Sequence, residues 1–220
     1  MLDIFDRLLQ AYGPRQWWPG DSPLEVMVGA VLTQNTAWRN VEKAIANMKE
    51  RGLMEMAALH AIGEGKLAEV IRPAGFYRVK AKRLKALIDH FCERHDGAVE
   101  NTRRETTAAL RAGLLSVKGI GPETADSILL YALDRPVFVV DAYTVRFLKH
   151  HGLYEGSDYH DVQRLFMESL PEDARLFNEF HALIVCLGQR HCKKKPECDG
   201  CPLADGKRRN PCLATQCKNK

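Results

Sequence analysis

The chain has 220 residues, 45% of them hydrophobic and 27% charged, with a formal net charge of +4. That composition excludes collagen-like, low-complexity and wholly disordered architectures, and the length suits one large domain or two small ones. No apolar stretch approaches the roughly 20 residues of a membrane span, and Met1–Asp6 carries acidic residues where a secretory signal would be basic, so a cytoplasmic chain with no membrane contact is expected.

In chain order, residues 1–12 predict a helix, with Leu2, Phe5, Leu8, Leu9 and Tyr12 at three- and four-residue spacings. A run of Gly, Pro and Trp over 13–20 ends it. Helical periodicity returns over 23–32, 40–49, 56–61, 66–70 and 79–92, and then over 103–115 and 123–133. Pro122 suits the first position of the last of these. Val137-Phe138-Val139-Val140 is β-prone, but four residues without a partner fit an extended buried connection better. Helices over 142–150, 161–170 and 175–187 complete an expected all-α fold of roughly ten helices.

Charge and sulfur are segregated together. From Gln189 to Lys220 there are nine basic residues against three acidic, a segment charge of +6 that leaves −2 for the remainder. Five of the seven cysteines fall in the same segment: Cys192, Cys198, Cys201, Cys212 and Cys217. Disulfides are disfavoured in a cytosolic chain, so clustered thiols point to metal ligation, with zinc and an iron–sulfur cluster both suited to four thiolates. Cys92 and Cys186, on apolar helical faces, read as core residues.

Between the helices expected at 103–115 and 123–133 stands Val117-Lys118-Gly119-Ile120-Gly121. Two glycines two residues apart let successive amide N–H groups turn toward one anion, a way to hold DNA phosphate without reading bases. Asp141 follows a buried apolar run and precedes a helix, where it is at once an N-cap worth ~1 kcal/mol and a candidate catalytic carboxylate.

On these residues the chain resembles the helix-hairpin-helix DNA glycosylases, the superfamily that includes endonuclease III. It is similar in particular to 3-methyladenine DNA glycosylases of the endonuclease III type, at Trp17-Trp18-Pro19, Gly29 to Thr36, Arg72 to Tyr77, Val117 to Gly121 and Val139-Val140-Asp141. The resemblance implies a two-lobed helical fold. Residues 22–135 would form a barrel lobe containing the helix-hairpin-helix at about 107–133, and residues 1–21 with 136–220 a second lobe carrying a cluster loop over 192–212.

It also implies roles. Asp141 would stabilise the positive charge that develops on the sugar as a glycosidic bond breaks, and would orient or deprotonate the attacking water. Bifunctional relatives carry a Schiff-base lysine two residues after the second hairpin glycine, but this chain has Glu123, which cannot form an imine, so AP lyase chemistry is not expected. Trp18, Pro19 and Trp38 would build an aromatic pocket for a flipped, positively charged base. Gln34 would fill the gap that base leaves. Lys118, Gly119 and Gly121 of the hairpin, with Lys193, Lys194, Lys195, Lys207, Arg208 and Arg209 of the tail, would meet DNA phosphates. The resemblance favours a [4Fe–4S] cluster over zinc, on Cys192, Cys198, Cys201 and Cys212, with Cys217 as rival for the fourth position. The first cysteine interval is shorter and the third longer than in the relatives, and Leu183 stands where they carry a pocket lysine.

The expectation is a monomeric, nucleoid-associated, monofunctional DNA repair glycosylase acting on alkylated purines such as 3-methyladenine in double-stranded DNA. Its alternatives are an endonuclease III-like glycosylase/AP lyase on oxidised pyrimidines, and a non-catalytic lesion-binding protein.

Overall fold

The computed structural model describes residues 1–15 and 17–204, and all regular structure among them is helical. Lys207, Arg208, Arg209, Cys212 and Cys217 lie outside the described residues. The helices are α1 (Leu2–Tyr12), α2 (Pro23–Leu32), α3 (Trp38–Glu50), α4 (Met56–Ala61), α5 (Glu64–Val70), α6 (Tyr77–His95), α7 (Thr107–Ser116), α8 (Pro122–Ser127), α9 (Ala142–His150), α10 (Tyr159–Ser169) and α11 (Ala174–Arg190). They divide into two compact units, one of Trp18–Arg135 and one that joins Met1–Trp17 to the described residues from Pro136 on. No helix among the described residues is long and apolar enough to cross a membrane.

In the unit Trp18–Arg135, α2 is the central element because it is apolar on every side, and it is buried continuously from Leu24 to Leu32. Ser22 starts it by accepting the Glu25 N–H at 3.2 Å, with Pro23 supplying a preset first turn. Helix α6 begins and ends on non-glycine residues in the left-handed region, Phe76 (φ 45°) and Asp96 (φ 54°). Two helical expectations change here. The stretch 103–115 is broken: a 3-10 helix over Val99–Arg104 stops at Glu105, which pairs with Arg94 and His95, and α7 restarts where Thr106 Oγ1 accepts the Ala109 N–H. The stretch 123–133 leaves α-helical register after Ser127 and continues as a π-helical turn over Ile128–Ala132.

In the other unit, α11 is buried from Phe180 through Gly188 and packs against α1 and α9. Gly188 matters to that packing, since a Cβ there would collide with the Tyr143 ring on α9. Phe138 stacks on Phe166 with ring centroids 4.0 Å apart and meets Phe177 and Phe180 edge-on. The stretch Val137–Val140 is buried and forms neither helix nor strand, and Phe138 C=O is satisfied by the Gln163 side-chain N–H at 2.7 Å.

Candidate functional site

The hairpin lies in the unit Trp18–Arg135. Val117 and Ile120 are buried and anchor it from within, the Ile120 N–H returning to Val117 C=O at 3.1 Å, while Lys118, Gly119 and Gly121 are exposed. Gly119 has φ 92°, a left-handed conformation that glycine adopts without strain, and a Cβ there would run into the Arg83 side chain. Below the turn, Arg111 of α7 holds the fully buried Asp126 of α8 through two bonds at 2.7 and 3.0 Å, which fixes the two hairpin helices to each other. Glu123 is exposed in the first turn of α8, where its charge favours the helix dipole.

Gln34 is tied to this hairpin by its amide. Its Nε2–H donates to Thr124 Oγ1 at 2.8 Å, and its Oε1 accepts from Arg83 Nη1 at 2.5 Å. Neither Arg83 nor Thr124 is marked by the sequence pattern. Next to the Gln34 loop is the turn carrying Phe76, for Thr36 Oγ1–H donates to Ala74 C=O at 2.5 Å. Phe76 is 71% exposed and sits in a conformation bulky residues avoid, two reasons to look for function in it. It lies within the Arg72–Tyr77 string that the sequence singles out, yet nothing in the string marks its exposure.

Of the three pocket candidates, the structure brings Trp18 edge-on to Trp38, centroids 5.2 Å apart at 88°. It adds Tyr131, on the π-helical turn, at 5.2 Å from Trp18. Gly29 of α2 leaves room for both indoles, since a Cβ there would stand 3.1 Å from Trp18 Nε1 and 3.5 Å from Trp38. Pro19 and Trp38 line a cavity of about 350 Å³ with Asp21, Glu25, Glu42 and Lys49. Lys49 bridges Asp21 at 2.7 Å and Glu25 at 2.9 Å, and bonds to those carboxylates raise its pKa.

Asp141 lies in the other unit, as the N-cap of α9. Its Oδ1 accepts from the Thr144 N–H at 2.8 Å and the Thr144 hydroxyl at 2.9 Å. That leaves Oδ2, which lies 3.6 Å from Nε2 of the buried His181 on α11. Burial pulls the carboxyl upward, but the charge of His181 and the bonds to Thr144 outweigh it and hold Asp141 below the usual carboxylate range. The side chain is 16% exposed and ionised at neutral pH. His181 escapes a sequence reading because its neighbours one turn away on α11, Phe177, Ile184 and Val185, are apolar and buried. Leu183 is fully buried.

Cys192 and Cys201 are buried and Cys198 half-buried, the Cys201 N–H bonding to Cys198 C=O at 3.1 Å. Arg146 donates to Cys192 C=O at 2.5 Å, Arg7 to Pro202 C=O at 2.9 Å, and His151 Nε2 stands 3.4 Å from Cys192 Sγ. Burial, then the nearby His150 and Arg7 charges, bring His151 down to about 4, so it is neutral. The Tyr12 hydroxyl is buried with no hydrogen-bond partner among the described residues, and burial together with the nearby Cys201, Cys186 and Cys192 thiols raises its pKa. Among the described residues no three His, Cys, Asp or Glu side chains form a ready metal cage. The thiols of Cys192, Cys198 and Cys201 still suit a soft metal or cluster, since thiolate sulfur is a soft donor. Lys194 and Lys195 are exposed, and Lys193 pairs with Glu197 at 2.7 Å.

Residues 28–172 match the family model described as "HhH-GPD superfamily base excision DNA repair protein". The chain is 48% identical over 204 residues to the "Putative DNA repair glycosylase MJ1434" of Methanocaldococcus jannaschii, covering 92% of this chain and 93% of that one. It is similar to the Helicobacter pylori 3-methyladenine DNA glycosylase MagIII, crystallised with 1,N6-ethenoadenine: TM-score 0.74, 35% identity, 86% of this chain and 95% of that one. A trapped endonuclease III–DNA covalent intermediate shares the fold, with TM-score 0.79 at 22% identity over 92% of this chain and 91% of that one. This chain therefore belongs to the HhH-GPD superfamily of base excision DNA repair proteins, and it is a DNA repair glycosylase.

Proposed function

We propose that this glycosylase is monofunctional, hydrolysing the N-glycosidic bond of a flipped alkylated purine in double-stranded DNA, with Asp141 as its catalytic carboxylate. The observation that carries this reading is the division of labour at Asp141. One oxygen is spent on the helix cap and the other is held, ionised, beside His181. A fixed anion of that kind stabilises the oxocarbenium-like charge on the sugar, and Oδ2 can accept a proton from the attacking water. Trp18, Trp38 and Tyr131 supply aromatic faces for a cationic base, with Pro19 at the rim of the adjoining cavity. Gln34 and Phe76 occupy the gap in the base stack. The exposed hairpin residues Lys118, Gly119 and Gly121, with the basic tail, hold phosphates. Exposed Glu123 offers no imine-forming amine, so the strand stays uncut.

Cys192, Cys198, Cys201 and Cys212 would hold the [4Fe–4S] cluster, which when bound supplies thiolate–iron bonds that fix the tail and no redox step in a hydrolysis. Such a chain acts as a monomer in the cytoplasm, at the nucleoid.

The test is a base-release assay on a panel of duplexes carrying methylated, etheno, oxidised and deaminated bases, with Asp141→Asn beside the wild type. Release of alkylated purines by the wild type alone, with DNA binding preserved in the variant, supports the reading. A stable adduct trapped by borohydride at wild-type efficiency defeats the monofunctional assignment. Release of thymine glycol without any alkylated purine defeats the substrate assignment, and equal inactivity of both chains on the whole panel would leave a lesion-binding protein.

A further inference from the structure

Lys80, on α6, is 1% exposed, and its three ammonium hydrogens are fully used. They go to Leu32 C=O, Thr36 Oγ1 and Ala74 C=O, each at 2.7 Å. All three acceptors are neutral. A charge withdrawn from water without an opposite charge costs stability, and burial, with Arg83 nearby, lowers the Lys80 pKa to about 8. A methionine would fill the same space with no such cost. The cost must therefore be set against what the ammonium joins.

Leu32 closes α2 and Thr36 lies two residues beyond Gln34, so two of the bonds hold both sides of the Gln34 loop. Ala74 lies two residues before Phe76, so the third holds the other turn. Thr36 completes the bracket by donating its hydroxyl to the same Ala74 C=O. Three residues further along α6, Arg83 grips the Gln34 side chain itself. One helix thus fixes the separation of the two side chains assigned to the gap.

We infer that Lys80, together with Thr36, is a positioning residue for base extrusion, locking the Gln34 loop to the Phe76 turn so that both side chains enter the duplex as one body. The inference rests on the gap-filling reading of Gln34 and Phe76. It predicts a defect confined to the opening of a paired base. Two wedges free to move separately lose the advantage of preorganisation, whereas a base already unpaired needs no wedge.

The probe is 2-aminopurine, which pairs with thymine and is fluorescent but quenched while stacked, placed in a duplex either opposite thymine or opposite an abasic site. All variants are made in the full-length Asp141→Asn chain, so that extrusion is read without excision. Lys80→Met and Thr36→Val should slow the fluorescence rise about tenfold opposite thymine and less than about twofold opposite the abasic site, with Thr36→Ser restoring the parent rate. Equal losses on both duplexes, or no loss on either, overturn the inference. Should Lys80→Met not fold, the Thr36→Val and Thr36→Ser pair decides by the same criteria. Gln34→Ala and Phe76→Ala run alongside: if neither slows opening of the paired base, or if the parent chain shows no rise at all, the gap-filling reading itself fails. If they slow it and Lys80→Met does not, only the bracket is wrong.

Discussion

Asp141 and Lys80 are both charged groups withdrawn from water, one in each unit, and they are surrounded in opposite ways. Asp141 faces a histidine and the first turn of a helix, and its pKa falls, which keeps the carboxylate charged. Lys80 faces two carbonyls and a hydroxyl, and its pKa also falls, which for an amine moves it toward neutrality. The first environment preserves a charge that chemistry uses. The second uses the direction and number of an ammonium's hydrogens and tolerates a weakened charge. A buried ionisable group is thus diagnosed by its partners rather than by its burial.

The largest effect should come from removing the charge at Asp141 and nothing else. Asparagine caps helices about as well as aspartate, so Asp141→Asn keeps the bonds to Thr144 and the start of α9. Base release under single-turnover conditions should nonetheless fall by about three orders of magnitude, the scale of losing electrostatic and general-base contributions together. An unchanged melting temperature with that loss assigns the effect to charge. A variant within about tenfold of wild type would place the catalytic anion elsewhere.

His181→Gln should cost about tenfold in base release and shift the pH profile, which packing loss alone would not do. With the imidazole gone, burial still pushes Asp141 upward and only Thr144 opposes it. The acid limb of kcat/KM should therefore move to higher pH. The sign for stability follows from the same depressed carboxyl: its contribution is present above the ordinary value of 3.8 and is lost as pH falls through the lower folded-state value. His181→Gln should flatten that acid dependence in urea titrations, and an unmoved limb would show that His181 only fills space.

The paired glycines at 119 and 121, the aspartate at 141 and the strings around them make family and helical fold readable, because each is fixed by local backbone demand: a left-handed turn, an open approach, a helix cap. What escapes is whatever depends on side chains meeting across sequence. His181 lies 40 residues from Asp141 and looks like one polar residue on an apolar helix. Lys80 reads as a surface lysine in the basic stretch of α6, and only the meeting of Leu32, Thr36 and Ala74 at its nitrogen shows that it points inward. The break before α7 is missed for a similar reason. Glu105 is a good helix former, but it pairs with Arg94 and His95 of α6.

Raising pH separates Lys80's two contributions, with effects of a few-fold. Its folded value of about 8 lies below the ordinary 10.5, so between them the unfolded chain binds more protons and this group's contribution to stability rises with pH. Extrusion should go the other way, because a neutral amine has two hydrogens to offer three acceptors. Besides burial, Arg83 is the neighbouring charge that depresses Lys80. Stopped-flow fluorescence from about pH 7 to about pH 9.5 should therefore show wild-type extrusion declining around 8 while urea stability holds or rises, and Lys80→Met should lack that step. A parallel fall in both would mean that the bracket is simply part of the fold.

At the surface the contrast between partnered and unpartnered charge should shrink to the smallest effect, and the three tail lysines measure it. Lys193 already pairs with Glu197, four residues on in the loop after α11, at 2.7 Å and with both side chains partly in water, whereas Lys194 and Lys195 are exposed. An exposed pair of this kind is worth ~0–1 kcal/mol, too little to prevent a phosphate from competing, but it lowers the net charge offered to DNA. Counterion release counts that net charge. Lys194→Ala and Lys195→Ala should each reduce the slope of log Kobs against log salt by up to about 1, and Lys193→Ala by less. Glu197→Gln should steepen the slope, since it frees the Lys193 charge. Fluorescence anisotropy with an undamaged duplex between about 50 and about 200 mM salt reads all four. If Lys193→Ala flattens the slope as much as Lys194→Ala, the Glu197 pair opens on DNA and the tail presents its full formal charge to the phosphates.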